Sequence, residues 1–230
     1  MTPELSSFSP SIYTVDHPQT VLGMQFGTRC TVVVLPSGRC VLISPVAFDD
    51  LLAEKIEAIG PVDTIIAPNL FHHLYFNQAC RRWPEARRLI APGLDQKVDL
   101  IEDVHPMAQQ GSIEGILKWR ALEGAPKVGE HLFFDTRDEV LVVTDIAFHF
   151  IDHPQWWLRT VMRLQGGYGQ LGPSRLLRSL IEDDSAFGES LSPILDEPWD
   201  SIIVAHGTPI PSGGKDRFKE AFAHYLPQSP

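Results

Sequence analysis

The sequence predicts an α/β protein, and three observations carry that expectation. Strand and helix patterns alternate between residues 40 and 92, further strand patterns follow between 116 and 148, and a last buried strand at 200–207 leads into an amphipathic helix. Strand–helix alternation of this kind implies parallel pairing with helices laid against the sheet.

The elements follow in order. Residues 20–35 carry strand signals, strongest in CTVVVL; PSGR turns the chain and CVLISP returns as an almost wholly apolar, buried strand. A turn centred on Ser37-Gly38 would set Leu35 opposite Cys40 and Cys30 opposite Pro45. Residues 47–59 place Leu51, Leu52, Ile56 and Ile59 at helical spacing before the stop signal Gly60. VDTIIAP at 62–68 is a buried strand, NLFHHLYFNQACRRWP a loop and helix closed by Pro84, and ARRLIAP at 86–92 another short strand. ILKWRAL, EHLFFDT and EVLVVTDIAF read as strands at 116–122, 130–136 and 139–148. Residues 150–198 read as helical, with breaks at Gly166-Gly167 and Gly172-Pro173. DSIIVAHG is the last buried strand, and KDRFKEAFAHYL sets Phe218, Ala221, Phe222 and Leu226 on one side of a terminal helix. The first residues and the last few are expected to fray. The whole chain, 1–230, is expected to form one domain.

Composition excludes several functions. The net charge of -10 opposes contact with phosphate backbones and anionic membrane surfaces. No apolar run approaches the roughly 18 residues of a membrane-spanning helix. MTPELSSFSPSIYTVD shows no basic segment followed by an apolar one, so no secretory signal is expected. The cysteines Cys30, Cys40 and Cys80 are odd in number and are expected to be reduced, in a cytoplasmic protein.

Chemistry is expected at strand ends, where α/β sheets assemble their sites. The His72-His73 pair follows one buried strand, Asp145 ends another, and His206 ends a third. Imidazoles and a carboxylate together suit zinc or iron. Each feature alone has an ordinary reading as a cap, turn or surface residue; their joint placement points to a site. Other candidates are weaker. His149 and His153 have ligand spacing with Asp152 nearby, but Pro154 follows at once. Gly213-Gly214-Lys215 falls short of a phosphate loop. Tyr75 and Asn77 lie just beyond the His pair and are candidates for the same cleft. Trp156, Trp157, Leu158, Val161, Met162 and Leu164 read as core, with a second reading as the wall of a pocket.

The order of elements resembles the metallo-β-lactamase superfamily: an opening hairpin, a His-rich loop after a strand, an Asp after a later hairpin and a His near the end. LISPVAFDDLLAEKIEAIGPVDTIIAPNLFHHLYF, WPEARRLIAPGL, VLVVTDIAF and IIVAHGTPIPSGG resemble, in order, an uncharacterised family related to that superfamily, over roughly residues 20–225. The resemblance implies a four-layer αββα sandwich with a helical insertion near 150–198. It departs from the superfamily signature His-x-His-x-Asp-His. With His73 aligned on the last His, His72 stands where the Asp belongs and Pro68 and Leu70 replace the first two His residues. Glu123 and Gly124 stand near another expected His, and His131 comes too late.

The resemblance therefore implies one divalent metal, zinc or else iron, held by His72, His73, Asp145 and His206, with Asp145 also orienting water. Four protein ligands would leave tetrahedral zinc no open position, and loss of the metal altogether is a further alternative. The expected function is a metal-dependent hydrolase of a small molecule. The rivals are a non-catalytic protein of the same fold, using its cleft for binding or as a subunit interface, and an iron-dependent redox enzyme. Expected partners are a small-molecule substrate, no nucleic acid and no membrane, with a homodimer left open.

Overall fold

Two sheets face one another and helices cover both outer faces. A computed structural model describes residues 4–21 and 23–226. The expected fraying concerns residues mostly outside that range.

The first sheet has seven strands in the order β1 (Leu5–Ser9), β2 (Ile12–His17), β5 (Thr28–Val34), β6 (Cys40–Ile43), β7 (Val62–Ala67), β8 (Arg87–Ile90) and β9 (Val104–Pro106). Pairing is antiparallel from β1 to β6 and parallel from β6 to β9. The second sheet runs β10 (Gln110–Ile113), β11 (Leu117–Ala121), β12 (His131–Asp135), β13 (Val140–Val143), β14 (Ser201–Val204). Only its last pair, β13 with β14, is parallel. A two-stranded ribbon, β3 (Thr20–Val21) with β4 (Met24–Gln25), stands apart.

Strand alternation builds the layers. Val33, Val41, Ile43 and Ile66 of the first sheet meet Phe133, Val140, Val142 and Ile203 of the second in a central core. The opposite face of the first sheet, with Val32, Leu42 and Ile65, packs on α1 (Asp50–Ile59) and α2 (Phe76–Arg82). The opposite face of the second, with Leu141, Val143, Ile202 and Val204, packs on α6 (Asp184–Leu195) and α7 (Gly214–Phe222). The result is an αββα sandwich. The short helix α3 (Leu94–Lys97) follows β8, while α4 (Trp156–Gln165), α5 (Arg175–Arg178) and α6 lie between β13 and β14. Among the described residues no helix is long and apolar enough to cross a membrane.

Three sequence expectations need correction. Strands begin at Leu5 rather than near residue 20, because β2 and the Ser-rich β1 extend the sheet beyond the apolar hairpin. The β5–β6 register pairs Val34 with Cys40 rather than Leu35 with Cys40. Leu35 and Arg39 close the loop, with Leu35 N donating to Arg39 O at 2.8 Å, and Gly38 takes the left-handed conformation (φ 79°) that a three-residue loop demands. The strand signal through 148 stops at Val143, and β9 and β10 add edges that the sequence did not announce.

Cys30, Cys40 and Cys80 are all buried and unbridged. Burial pushes their thiols up to about 12, 11 and 11.

Candidate metal centre

Register explains why distant residues meet. β13 and β14 are parallel, and Val143 pairs with Val204. Asp145 and His206 therefore both lie just beyond the same rung. In the facing sheet Ile43 pairs with Ile66; Ser44 follows at once, and the loop after β7 carries Asn69 and His72. All these loops leave the sandwich at one edge.

Asn69 ties the two sheets together there. It is fully buried. Its side-chain carbonyl accepts from Phe71 N at 2.8 Å and His72 N at 2.7 Å, fixing the turn that presents His72. Its amide donates to Asp145 Oδ2 at 2.7 Å and Thr144 Oγ1 at 2.9 Å. Glu130, just before β12, also braces the Asp145 loop. Its carboxylate accepts from the backbone N–H groups of Thr144 (2.6 Å), Asp145 (2.8 Å) and Ile146 (3.0 Å). Burial, then the neighbouring Asp145 carboxylate, push Glu130 up to about 7, against the pull of those donors. Arg29 does for His206 what Glu130 does for Asp145: its guanidinium donates to the carbonyls of Val204 and Gly207, and it pairs with Asp16.

His72, Asp145 and His206 converge. The two Nε2 atoms lie 3.1 Å apart; His72 Nε2 is 3.3 Å from Asp145 Oδ2, and His206 Nε2 is 3.5 Å from Asp145 Oδ1. Burial alone would raise the Asp145 pKa, but the His72 imidazole and the hydrogen bonds from His206 and His72 outweigh it. They hold this carboxyl well below the usual range. His72 Nδ1 lies 2.6 Å from Ser44 Oγ, and His206 Nδ1 lies 2.7 Å from Gly27 O.

These groups fit a metal ion. An ion about 2.0–2.2 Å from each ligand sets tetrahedral ligand atoms roughly 3.3–3.6 Å apart, close to the separations between the two Nε2 atoms and from each of them to its nearer Asp145 oxygen. Hydrogen-bond partners on the far nitrogens, as Ser44 and Gly27 supply here, are the usual company of metal-bound imidazoles. Among the described residues this is the one group of three or more His, Cys, Asp or Glu side chains arranged to hold an ion.

His73 stands outside the group, which corrects the four-residue expectation. Its backbone N–H donates to Phe71 O at 3.0 Å in a tight turn, and its ring is not among the ligand atoms gathered at the site. Burial, Lys97 and His72 lower the pKa of its ring, in that order.

The other sequence candidates are structural. The nearly buried His149 sets Nδ1 2.6 Å from Thr208 O, and His153 precedes α4, so the two do not share a helix face. Gly213 is the left-handed residue before α7, its N–H donating to Asp200 Oδ2 at 2.8 Å. Asn77 braces the 99–101 segment, donating to Asp99 O and accepting from Ile101 N. Tyr75 lines a cavity of about 390 Å³ beside the His–Asp–His group, as do Phe148, Leu176 and Leu177. The Trp156–Leu164 helix does not line it.

Sequence reasoning missed Ser44, Asn69, Glu130 and Arg29. Ser44 and Asn69 lie within the 42–76 stretch that carries the resemblance, and that was their signal. Glu130 and Arg29 had none, since a single acid in a turn and a single base in a strand are ordinary.

No protein-family model matches the sequence, and neither does any curated protein. Solved structures do match. The DIM-1 metallo-β-lactamase exposed to ceftazidime aligns with a TM-score of 0.67 at 9% identity over 96% of this chain and 97% of that one. A metallo-β-lactamase from Hirschia baltica aligns with a TM-score of 0.64 at 10% identity over 100% of both. The Flv1 flavodiiron core from Synechocystis sp. PCC6803 aligns with a TM-score of 0.64 at 13% identity, over 97% of this chain but 60% of that one. Likeness at such identities is a likeness of fold, and the chain carries the metallo-β-lactamase-like fold.

Proposed function

We propose that the chain is a metal-dependent hydrolase of a small molecule, using one divalent ion held by His72, Asp145 and His206. The observation that carries this reading is a three-ligand group opening onto a cavity. Three protein ligands leave a coordination position for water or substrate, the pattern of catalytic rather than structural zinc. Removing His73 from the set thus supplies the open position that four ligands would have closed.

A bound divalent cation would polarise a carbonyl oxygen and draw the pKa of water towards about 7. The chain's own residues supply position. Asn69 holds the Asp145 carboxylate through Oδ2 and Glu130 holds the Asp145 backbone N–H, so Oδ1, which Asn69 leaves free, would accept a hydrogen bond from water and orient it. Ser44 and Gly27 orient the two imidazoles. Phe148 stacks on the His206 ring at 5.4 Å between centroids and Phe26 meets it edge-on at 6.4 Å, which limits water on that side.

The donor set favours a second reading. Two histidines and one carboxylate with open positions also suit non-haem iron. Elemental analysis of protein purified without added metal, combined with hydrolysis of an ester and lactone panel, tests both. Zinc with hydrolysis that Asp145→Asn abolishes is expected. Iron without hydrolysis favours the redox reading, and a metal-free, inactive protein that takes up no added zinc favours a binding protein.

A further inference from the structure

The cavity's lining says what kind of molecule fits it. Phe71 and Leu74, in the loop that carries His72, and Leu176 of α5 all line it, yet they are 45%, 64% and 67% exposed. Leu177 and Leu180 continue the same apolar wall inward. Clustered exposed apolar side chains around one opening mark a surface that is covered by something apolar.

Charge narrows the choice further. No Lys or Arg is among the described residues lining the cavity. The nearby Lys97 is engaged, donating to Leu70 O at 2.8 Å and lying 4.2 Å from the Phe71 ring centre. Arg29 is engaged with Asp16 and two backbone carbonyls. The cavity floor carries the Asp145 carboxylate, and the whole chain carries -10. Away from the ion that Asp145 would hold, an anionic group lying along this wall would find no Lys or Arg as counter-ion.

We infer that this cavity selects a neutral acyl compound, an ester, lactone or amide, carrying a hydrocarbon chain that lies along Leu74, Leu176 and Leu180. The inference rests on the hydrolase reading for the reacting group, but not for the chain. A cavity of about 390 Å³ has room for a short hydrocarbon chain beside the reacting group.

The test separates binding from turnover. Calorimetric titration of the protein as purified would compare N-hexylacetamide, N-methylacetamide and hexanesulfonate, the last a poor metal ligand with the same chain. Each methylene withdrawn from water contributes about fourfold, so N-hexylacetamide should bind at least about tenfold tighter than N-methylacetamide; it should also bind tighter than hexanesulfonate, whose charge finds no counter-ion along the wall. Leu74→Lys with Leu176→Lys changes two exposed positions, so folding persists; the order of N-hexylacetamide and hexanesulfonate should then reverse. Equal or tighter binding of hexanesulfonate by the parent protein would overturn the inference, as would equal binding of N-methylacetamide or an unchanged order in the double variant. Hydrolysis of 4-nitrophenyl hexanoate is scored separately. Binding in the expected order without cleavage would sink the hydrolase reading and leave the cavity assignment standing.

Discussion

The Nε2 atoms of His72 and His206 face one another at 3.1 Å, and the opposite nitrogen of each ring is held from outside the pair. Gly27 O only accepts, so His206 Nδ1 carries a proton, and its Nε2 donates to Asp145 when the ring is doubly protonated or offers a lone pair to a metal ion when it is neutral. Ser44 Oγ accepts as readily as it donates, so His72 can adopt the same tautomer. Two lone pairs this close repel unless a proton or a metal ion lies between them, and Asp145 brings a negative charge to the same point.

Individual ligand removal should therefore discriminate between neighbours. His72→Ala and His206→Ala should lose stoichiometric metal, whereas His73→Ala should bind it as the parent does. Inductively coupled plasma mass spectrometry of the three variants checks this; metal loss in His73→Ala equal to that in His72→Ala would restore the four-ligand set.

Ser44→Ala should lower metal affinity by about 10–100-fold, the usual effect of removing an imidazole's outer partner. Ser44 also adopts a left-handed backbone (φ 56°), which only glycine takes without strain. Ser44→Gly should thus lose metal affinity while gaining stability in the apo-protein. Competition titration and thermal melting check the two effects; unchanged affinity in both variants would show that Ser44 does not orient His72.

Glu130→Gln puts a side-chain donor against backbone donors. The site receives three N–H groups and lies fully buried, so the change should cost about 1–3 kcal/mol or more. Asp145 should be displaced with its loop, and metal affinity should fall as well. Denaturant unfolding with and without metal checks it; a parent-like midpoint would mean that the loop stands without Glu130.

His131 should make stability depend on acid. Its ring is buried with no hydrogen bond to either nitrogen, and burial lowers its pKa to about 4, against a partial offset from the carbonyls of Ala108, Gly129 and Pro68. The unfolded chain takes up this proton near pH 6.5 and the folded chain does not until about 4. Stability is therefore lost as pH falls across that window, by up to about 3 kcal/mol from this group. Urea unfolding of the parent and His131→Leu between pH 7 and 4 checks it: the variant should show the shallower loss.

Much of this was legible in the sequence for a physical reason. Apolar runs such as VLVVT and SIIVA must be buried strands, and a His or Asp that ends such a run sits at a sheet edge. That logic reached Asp145 and His206. It did not separate His72 from His73, because the choice is made by the Asn69 side chain capping the turn. Glu130 escaped because a lone acid beside Gly129 reads as turn polarity, and its meaning comes only from the three N–H groups of a loop fourteen to sixteen residues away. The first hairpin escaped because LSSFS at an outer sheet edge has too few apolar residues to announce a strand.

The most direct measurement is the anomalous scattering of crystals soaked in zinc. One ion should lie about 2.0–2.2 Å from His72 Nε2, His206 Nε2 and an Asp145 carboxylate oxygen, with His73 out of reach and an open position towards the Leu176 wall. An ion ligated by His73, a second ion in the same cleft, or no ion between His72 and His206 at saturating zinc would contradict it.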